Sequence, residues 1–276
     1  MECCRPLAPL SREPLRRTSA AVTDLFDRRL RSLRRDRAAR IGVDMFLYDR
    51  AFDDCLDRLR DVARTYGRAL ILGCPSADWP DRLKPFASEV ETLDPGGIFA
   101  DRSAGTQIEE DRHDYGEDRY DLCVAIGTLD TVNELPIALQ LIRRAMRRDA
   151  PLIGAIAGGN SLSALRTSFI EAGRAKGKVA ARTHPRIEAP TLAQLLSSAG
   201  FSMPVVDIDR VTLRYSSLDD LVRDLRSMGA TSVLAQRPSA LGKNELLRAR
   251  QAFTAQADVG KTPEIVEILH FLAWNQ

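Results

Sequence analysis

A chain of 276 residues with 44% hydrophobic and 28% charged residues has the length for one large domain and the composition of an ordinary globular fold. No apolar run approaches the roughly 20 residues that cross a bilayer, so no membrane span is expected. The net charge of +2 is too small to signal a nucleic-acid partner, although arginine far outnumbers lysine.

Residues 1–20 hold Arg5, Arg12, Arg16 and Arg17 among prolines and serines, without the apolar stretch of a signal peptide, and are expected to form a mobile tail ahead of one domain over 21–276. Residues 21–66 read as a helical lead-in. From Val22 to about Arg40, Leu25, Phe26, Leu30 and Leu33 recur at helical spacing, and from Phe46 to Thr65 a second helix places Phe52, Leu56, Leu59 and Val62 on one face. The arginines of the first helix, among them Arg28, Arg31 and Arg35, read as a solvated face, with a partner or phosphate contact as the other reading.

The sheet begins at Arg68 to Leu72, an aliphatic run that breaks into Gly73-Cys74-Pro75, as a buried parallel strand does. A crossover at Trp79 to Phe86 is shortened by Pro80 and Pro85. Glu89 to Asp94 is a second strand that ends in an acid before Pro95-Gly96-Gly97, and a weak third strand is expected near Thr106 to Glu110. Tyr120 to Ile126 is a fourth strand, followed by a helix from about Pro136, and Pro151 to Ala157 is a fifth that ends at Gly158-Gly159. Helices over Leu162 to Ala172 and Thr191 to Ala199 flank a basic loop through His184. A long strand Pro204 to Tyr215 is followed by a helix Leu218 to Met228 capped by Ser217 or Asp219. A helix Lys243 to Gln256 and a strand Ile265 to Ala273 complete the order. The rhythm is that of a doubly wound α/β sheet with right-handed crossovers, whose ligands lie at the carboxyl ends of the strands.

Five cysteines, odd in number and irregularly spaced, read as reduced thiols, and His113, His184 and His270 have no companion at metal-ligand spacing, so no metal site is expected. Asp94 reads either as an acceptor for ribose hydroxyls or as an acid capping its turn. Asp111 or Glu110 reads as a loop acid. Asp130 reads as a solvated loop acid and His184 as a surface loop histidine. Arg166, with its forked donors, suits a carboxylate or a structural ion pair.

An ordered set of short segments carries a resemblance across nearly the whole chain: Phe26-Asp27-Arg28, Arg35-Asp36-Arg37-Ala38-Ala39, Tyr120-Asp121-Leu122, Val132-Asn133-Glu134-Leu135-Pro136, Gly158-Gly159-Asn160-Ser161-Leu162, Val206-Asp207-Ile208-Asp209 and Met228-Gly229-Ala230-Thr231-Ser232. On these the chain resembles the class I S-adenosylmethionine-dependent methyltransferases. Within them it is similar to the branch of the biotin-pathway malonyl-carrier-protein methyltransferase and the mitochondrial complex I assembly factor that acts as a protein-arginine hydroxylase. The resemblance implies a Rossmann-like fold with seven mostly parallel strands, helices on both faces, an inserted antiparallel last strand and an N-terminal helical extension. Residues 67–160 would be the nucleotide-binding half and 161–276 the substrate-side half.

It further implies S-adenosyl-L-methionine as cofactor, met by Gly73, Cys74, Asp94, Asp111 and Ile126, with Asp130 and His184 as catalytic candidates and Arg166 and His184 toward the substrate. Two departures stand out. Cys74-Pro75 replaces the alternating glycines of the first loop, and Thr128-Leu129-Asp130-Thr131 stands where relatives place Ser-Leu-His-Trp. The implied function is a methyltransferase-like modifier of a protein partner, such as a respiratory complex I subunit, by methyl transfer or arginine hydroxylation. The alternative is an inactive relative serving as an assembly module, and weak affinity for the cofactor is expected. The location would be cytoplasmic in a bacterium and the mitochondrial matrix in a eukaryote.

Overall fold

The computed structural model describes residues 24–42, 45–174, 177 and 180–276. The tail expected over residues 1–20 lies outside them. Two helices come first, α1 (Arg28–Ile41) and α2 (Phe46–Val62), followed by β1 (Tyr66–Leu72), the five-residue α3 (Trp79–Leu83) and β2 (Ala87–Asp94). Next come α4 (Gly97–Arg102), the two-residue β3 (Thr106–Gln107), β4 (Leu122–Ile126), a tight turn Leu129–Thr131, α5 (Leu135–Ala145) and β5 (Ala150–Ala157). The chain ends with α6 (Ser163–Arg174), α7 (Ala189–Ser198), β6 (Ser202–Tyr215), α8 (Leu218–Ser227), α9 (Lys243–Thr254) and β7 (Thr262–Asn275).

The strands form one seven-stranded sheet in the order β3-β2-β1-β4-β5-β7-β6. Strands β1 to β5 pair in parallel, and β7 runs antiparallel between β5 and β6. Because side chains alternate along a strand, successive residues feed two cores on opposite faces of the sheet. Ala69 and Ile71 of β1 and Leu122 and Val124 of β4 join the core beneath α1, α2, α6, α8 and α9. Leu70, Leu72, Cys123 and Ala125 join the core beneath α5 and α7. Phe52 of α2 stacks on Trp79 with ring centroids 4.3 Å apart, which explains a crossover that survives two nearby prolines as one buried turn. The third strand stops at Gln107 rather than Glu110, and this frees Glu110 and Asp111 to turn back toward α1. No helix among the described residues is long and apolar enough to cross a membrane.

Candidate functional site at the carboxyl edge of the sheet

The carboxyl ends of β1, β2 and β4 open toward α1. That helix is capped at its start by the Asp27 side chain, which accepts from the Leu30 amide, and at its end by Gly42 in the left-handed conformation. Arg28, Arg31 and Arg35 are three and four residues apart and so project from one face of it. Each meets a carboxylate of the sheet edge. Arg35 donates from Nε and Nη2 to the two oxygens of Asp94 at 2.7 and 2.5 Å. Arg31 donates from Nη1 and Nη2 to Glu110 at 2.6 Å each, and further to the Thr128 carbonyl and the Thr131 hydroxyl. Arg28 grips Asp111 with Nη1 and Nη2 at 2.5 and 2.7 Å. Asp94 and Glu110 are 0% exposed, and Arg31 and Arg35 only 7% and 6%. Burial pushes the Asp111 carboxyl up, but the Arg28 hydrogen bonds outweigh it and hold the group below the usual carboxylate range.

The solvated face expected for these arginines is therefore corrected: the row is an internal seam of bidentate pairs. Glu110 and Asp111 do lie in the turn after β3, as loop acids, with their carboxylates taken up by Arg31 and Arg28. The approach is close enough to require glycine, since a Cβ on Gly96 would stand 2.7 Å from the Arg35 Cβ.

The first loop turns inward as well. Gly73 has φ +83°, and a Cβ there would stand 2.4 Å from the Ile126 carbonyl oxygen and 2.5 Å from a Thr128 methyl. The Cys74 amide donates to Asp94 Oδ2 at 2.9 Å and its thiol to the Ser76 carbonyl at 3.2 Å. Burial pushes the Cys74 thiol up to about 12, so the sulfur is an inert packing group at neutral pH. The Gly96 amide completes the shell of Asp94 at 2.7 Å.

Beyond Ile126, on the β4–β5 side, lies a cavity of about 110 Å³. Ile126, Asp130 and His184 line it together with Tyr48 and Arg186, while Gly73, Cys74, Asp94, Asp111 and Arg166 do not. Arg166 instead donates to the carbonyls of Gly159 and Ser161 at 3.3 and 3.2 Å. His184 is buried rather than on the surface. Its Nε2 accepts from the Val233 amide at 2.7 Å, and its ring meets Phe26 edge-on at 5.3 Å. An Nε2 that accepts is unprotonated, and burial lowers the group to about 4, so the ring is neutral and its basic nitrogen is already engaged. Asp130 Oδ2 is 3.7 Å from Arg186 Nη1, with side chains 17% and 8% exposed, so the solvated-acid reading does not hold.

The fit of S-adenosylmethionine can be judged from Asp94. In this fold an acid there would receive the ribose hydroxyls, but both its oxygens already accept from Arg35, and two backbone amides complete its shell. The residues that would meet the adenosine half are thus bonded to α1, and in this arrangement the cofactor does not fit. Reasoning from sequence singled out the carboxylates but missed their partners, Arg28, Arg31 and Arg35, and missed Arg186. The available signal was the shared helical face of the three arginines beside an equal number of acids.

The chain is 28% identical over 267 residues to the mitochondrial arginine hydroxylase NDUFAF5 of Danio rerio, covering 91% of this chain and 83% of that protein. The Homo sapiens protein of the same name is 27% identical over 272 residues, covering 94% and 79%. A malonyl-acyl-carrier-protein O-methyltransferase of Halorhodospira halophila is 28% identical over 165 residues, covering 58% and 54%. Among solved structures, a proposed methyltransferase of Bacillus halodurans superposes with a TM-score of 0.55 at 10% identity, covering 80% of this chain and 98% of that one. The YcgJ protein of Bacillus subtilis gives 0.52 at 10% identity, covering 76% and 92%. These two show the fold. No protein-family model matches the chain.

Proposed function

We propose, from the premise that this chain is a homologue of the arginine hydroxylase NDUFAF5 and of the malonyl-carrier methyltransferases on a class I methyltransferase fold, that it modifies a protein partner during respiratory complex I assembly. The observation that carries this reading is the similarity to the hydroxylase, which runs over 91% of the chain and so includes the N-terminal helices, whereas that to the methyltransferase covers only 58%. The reacting end is the cavity beside β4 and β5, where Asp130 is the one carboxylate of the lining. Of the catalytic candidates Asp130 and His184, Asp130 is proposed to meet a partner's side chain, and His184 is proposed to hold the wall, its Nε2 accepting from the Val233 amide. Residue Arg166 is proposed to shape the turn after β5, given its two carbonyl contacts.

Cofactor use then requires α1 to release Asp94, so binding of S-adenosylmethionine is weak in the resting arrangement. The proposed location is the compartment where complex I is assembled, the matrix in a mitochondrion or the cytoplasmic side in a bacterium. Deleting the gene in its own host and resolving respiratory complexes on native gels tests the reading. Less assembled complex I is expected, with a subunit peptide lighter by one CH2 unit or one oxygen atom. Normal complex I with unchanged peptide masses would contradict it.

A further inference from the structure

Helix α1 carries a second row of arginines that the seam does not use. Arg34, Arg37 and Arg40 are spaced three apart on a different side of the helix from Arg35, and α8 and the loop behind it bring Arg226 and Arg237 near them. The two elements pack closely, since a Cβ on Gly229 would stand 3.5 Å from the Ala38 Cβ and from the Arg34 carbonyl oxygen. Elsewhere this arginine-rich chain sets guanidiniums against acids, as Arg50, Arg58 and Arg82 each face an aspartate. Here the acids are missing. Among the described residues Arg34, Arg40 and Arg226 make no hydrogen bond and no ion pair, and Arg37 donates only to the Thr231 hydroxyl at 3.1 Å. Arg237 comes no closer than 3.6 Å to Asp27, with its side chain 53% exposed.

The Nε atoms of Arg34 and Arg37 are buried without a hydrogen-bond partner. Burial holds both guanidiniums below their ordinary value, and neighbouring cations push the same way: Arg237 and Arg226 at Arg34, and Arg34 and Arg226 at Arg37. The helix C-termini favour Arg40 and Arg226, which stand in last turns, yet they leave Arg34 and Arg37 unexplained. Leu33 and Ile41 of the same helix are 49% and 45% exposed and lie about 12 Å apart along its axis.

We propose that the groove between α1 and α8 docks an acidic segment of a protein partner, its carboxylates on Arg34, Arg37 and Arg226 and its apolar residues on Leu33 and Ile41. Charge complementarity names the acids. The two exposed aliphatic side chains call for apolar groups between those acids, which neither inorganic phosphate nor a nucleic-acid backbone offers. The guanidiniums are recessed, so a projecting carboxylate reaches their forked donors better than the flat plane of lipid head groups does. The inference rests on the reading that the chain acts on a protein partner, because it names that partner's docking chemistry.

The test is fluorescence anisotropy on the full chain with a fluorescein-labelled acidic peptide that carries leucine at every fourth position among glutamates. Its counterpart with lysine for glutamate, and co-sedimentation with phosphatidylglycerol vesicles, complete the probes. Saturable binding of the acidic peptide is expected, weakening with salt, and none of the lysine peptide. Arg34→Gln with Arg226→Gln should weaken it about tenfold or more and Leu33→Ser severalfold, while Arg148→Gln, which removes an exposed charge in the turn before β5, should change nothing. The double variant removes cations that repel, so its melting temperature should hold or rise. Arg226→Gln, at an exposed and unpaired position, serves alone if Arg34→Gln does not fold. If the acidic peptide does not bind, if the lysine peptide binds as well, or if binding survives the arginine variants or Leu33→Ser unchanged, the inference is overturned. Vesicles that bind in place of the peptide and need the same arginines would give the groove to a membrane surface and overturn it too. Peptide binding with normal complex I in the deletion host would fail the partner reading alone, and reduced complex I without peptide binding would fail this inference alone.

Discussion

At the scale of single residues, Gly73 and His184 make sharp tests because each is fixed by one contact. Gly73→Ala places a Cβ against the Ile126 carbonyl in a backbone conformation that only glycine adopts freely. A loss of about 2–4 kcal/mol is expected from urea unfolding; a change below 0.5 kcal/mol, roughly the size seen for neutral surface changes, would mean the loop yields. His184 titrates at about 4 in the folded chain against an ordinary value of 6.5. Between those values the unfolded chain binds a proton that the folded chain does not, so stability is fully present above pH 6.5 and is lost as pH falls toward 4. The loss is on the order of 3 kcal/mol at most. His184→Asn should flatten that acid limb of the stability profile, whereas a parallel acid limb would assign it to other groups.

At the scale of the element, α1 is held by paired charge more than by apolar contact. The pairs are buried and bidentate, so removing one partner strands the other in a site that water does not reach. Arg35→Ala should cost about 3–5 kcal/mol, while Arg35→Gln with Asp94→Asn should recover much of that loss. Thermal unfolding of the two variants checks this, and equal destabilisation would mean the ion pair is not what anchors the helix. The row also explains where sequence reading stopped. An arginine three or four positions from another marks one face, yet whether that face meets water or acids depends on where the ends of β2 and β3 come to rest. Asp94 was legible as the acid closing a strand, and its partner Arg35 is 59 residues away in sequence.

At the scale of the molecule, the architecture was legible because the strands of a doubly wound sheet are apolar on both faces and punctuated by glycine. Leu70 to Leu72, Leu122 to Ile126 and Leu152 to Ile156 announce themselves, and the antiparallel place of β7 followed from the resemblance. The site was less so. Asp130 and His184 do converge on one cavity, but Arg186, two residues from His184 in the sequence, carried no local signal of burial. The charge pairing that closes the cofactor side is a property of docked elements and has no period in the chain.

Helix α1 occupies the carboxylates that a cofactor would use. Freeing Asp94 from Arg35 costs about 3–5 kcal/mol, so affinity for an adenosyl ligand should fall by roughly 10²–10⁴-fold relative to a site with an open acid. Calorimetric titration of the full chain with S-adenosylhomocysteine tests this most directly. No saturation is expected in the low micromolar range. Tight binding at that level, with the Arg35–Asp94 pair intact in a structure of the complex, would contradict it.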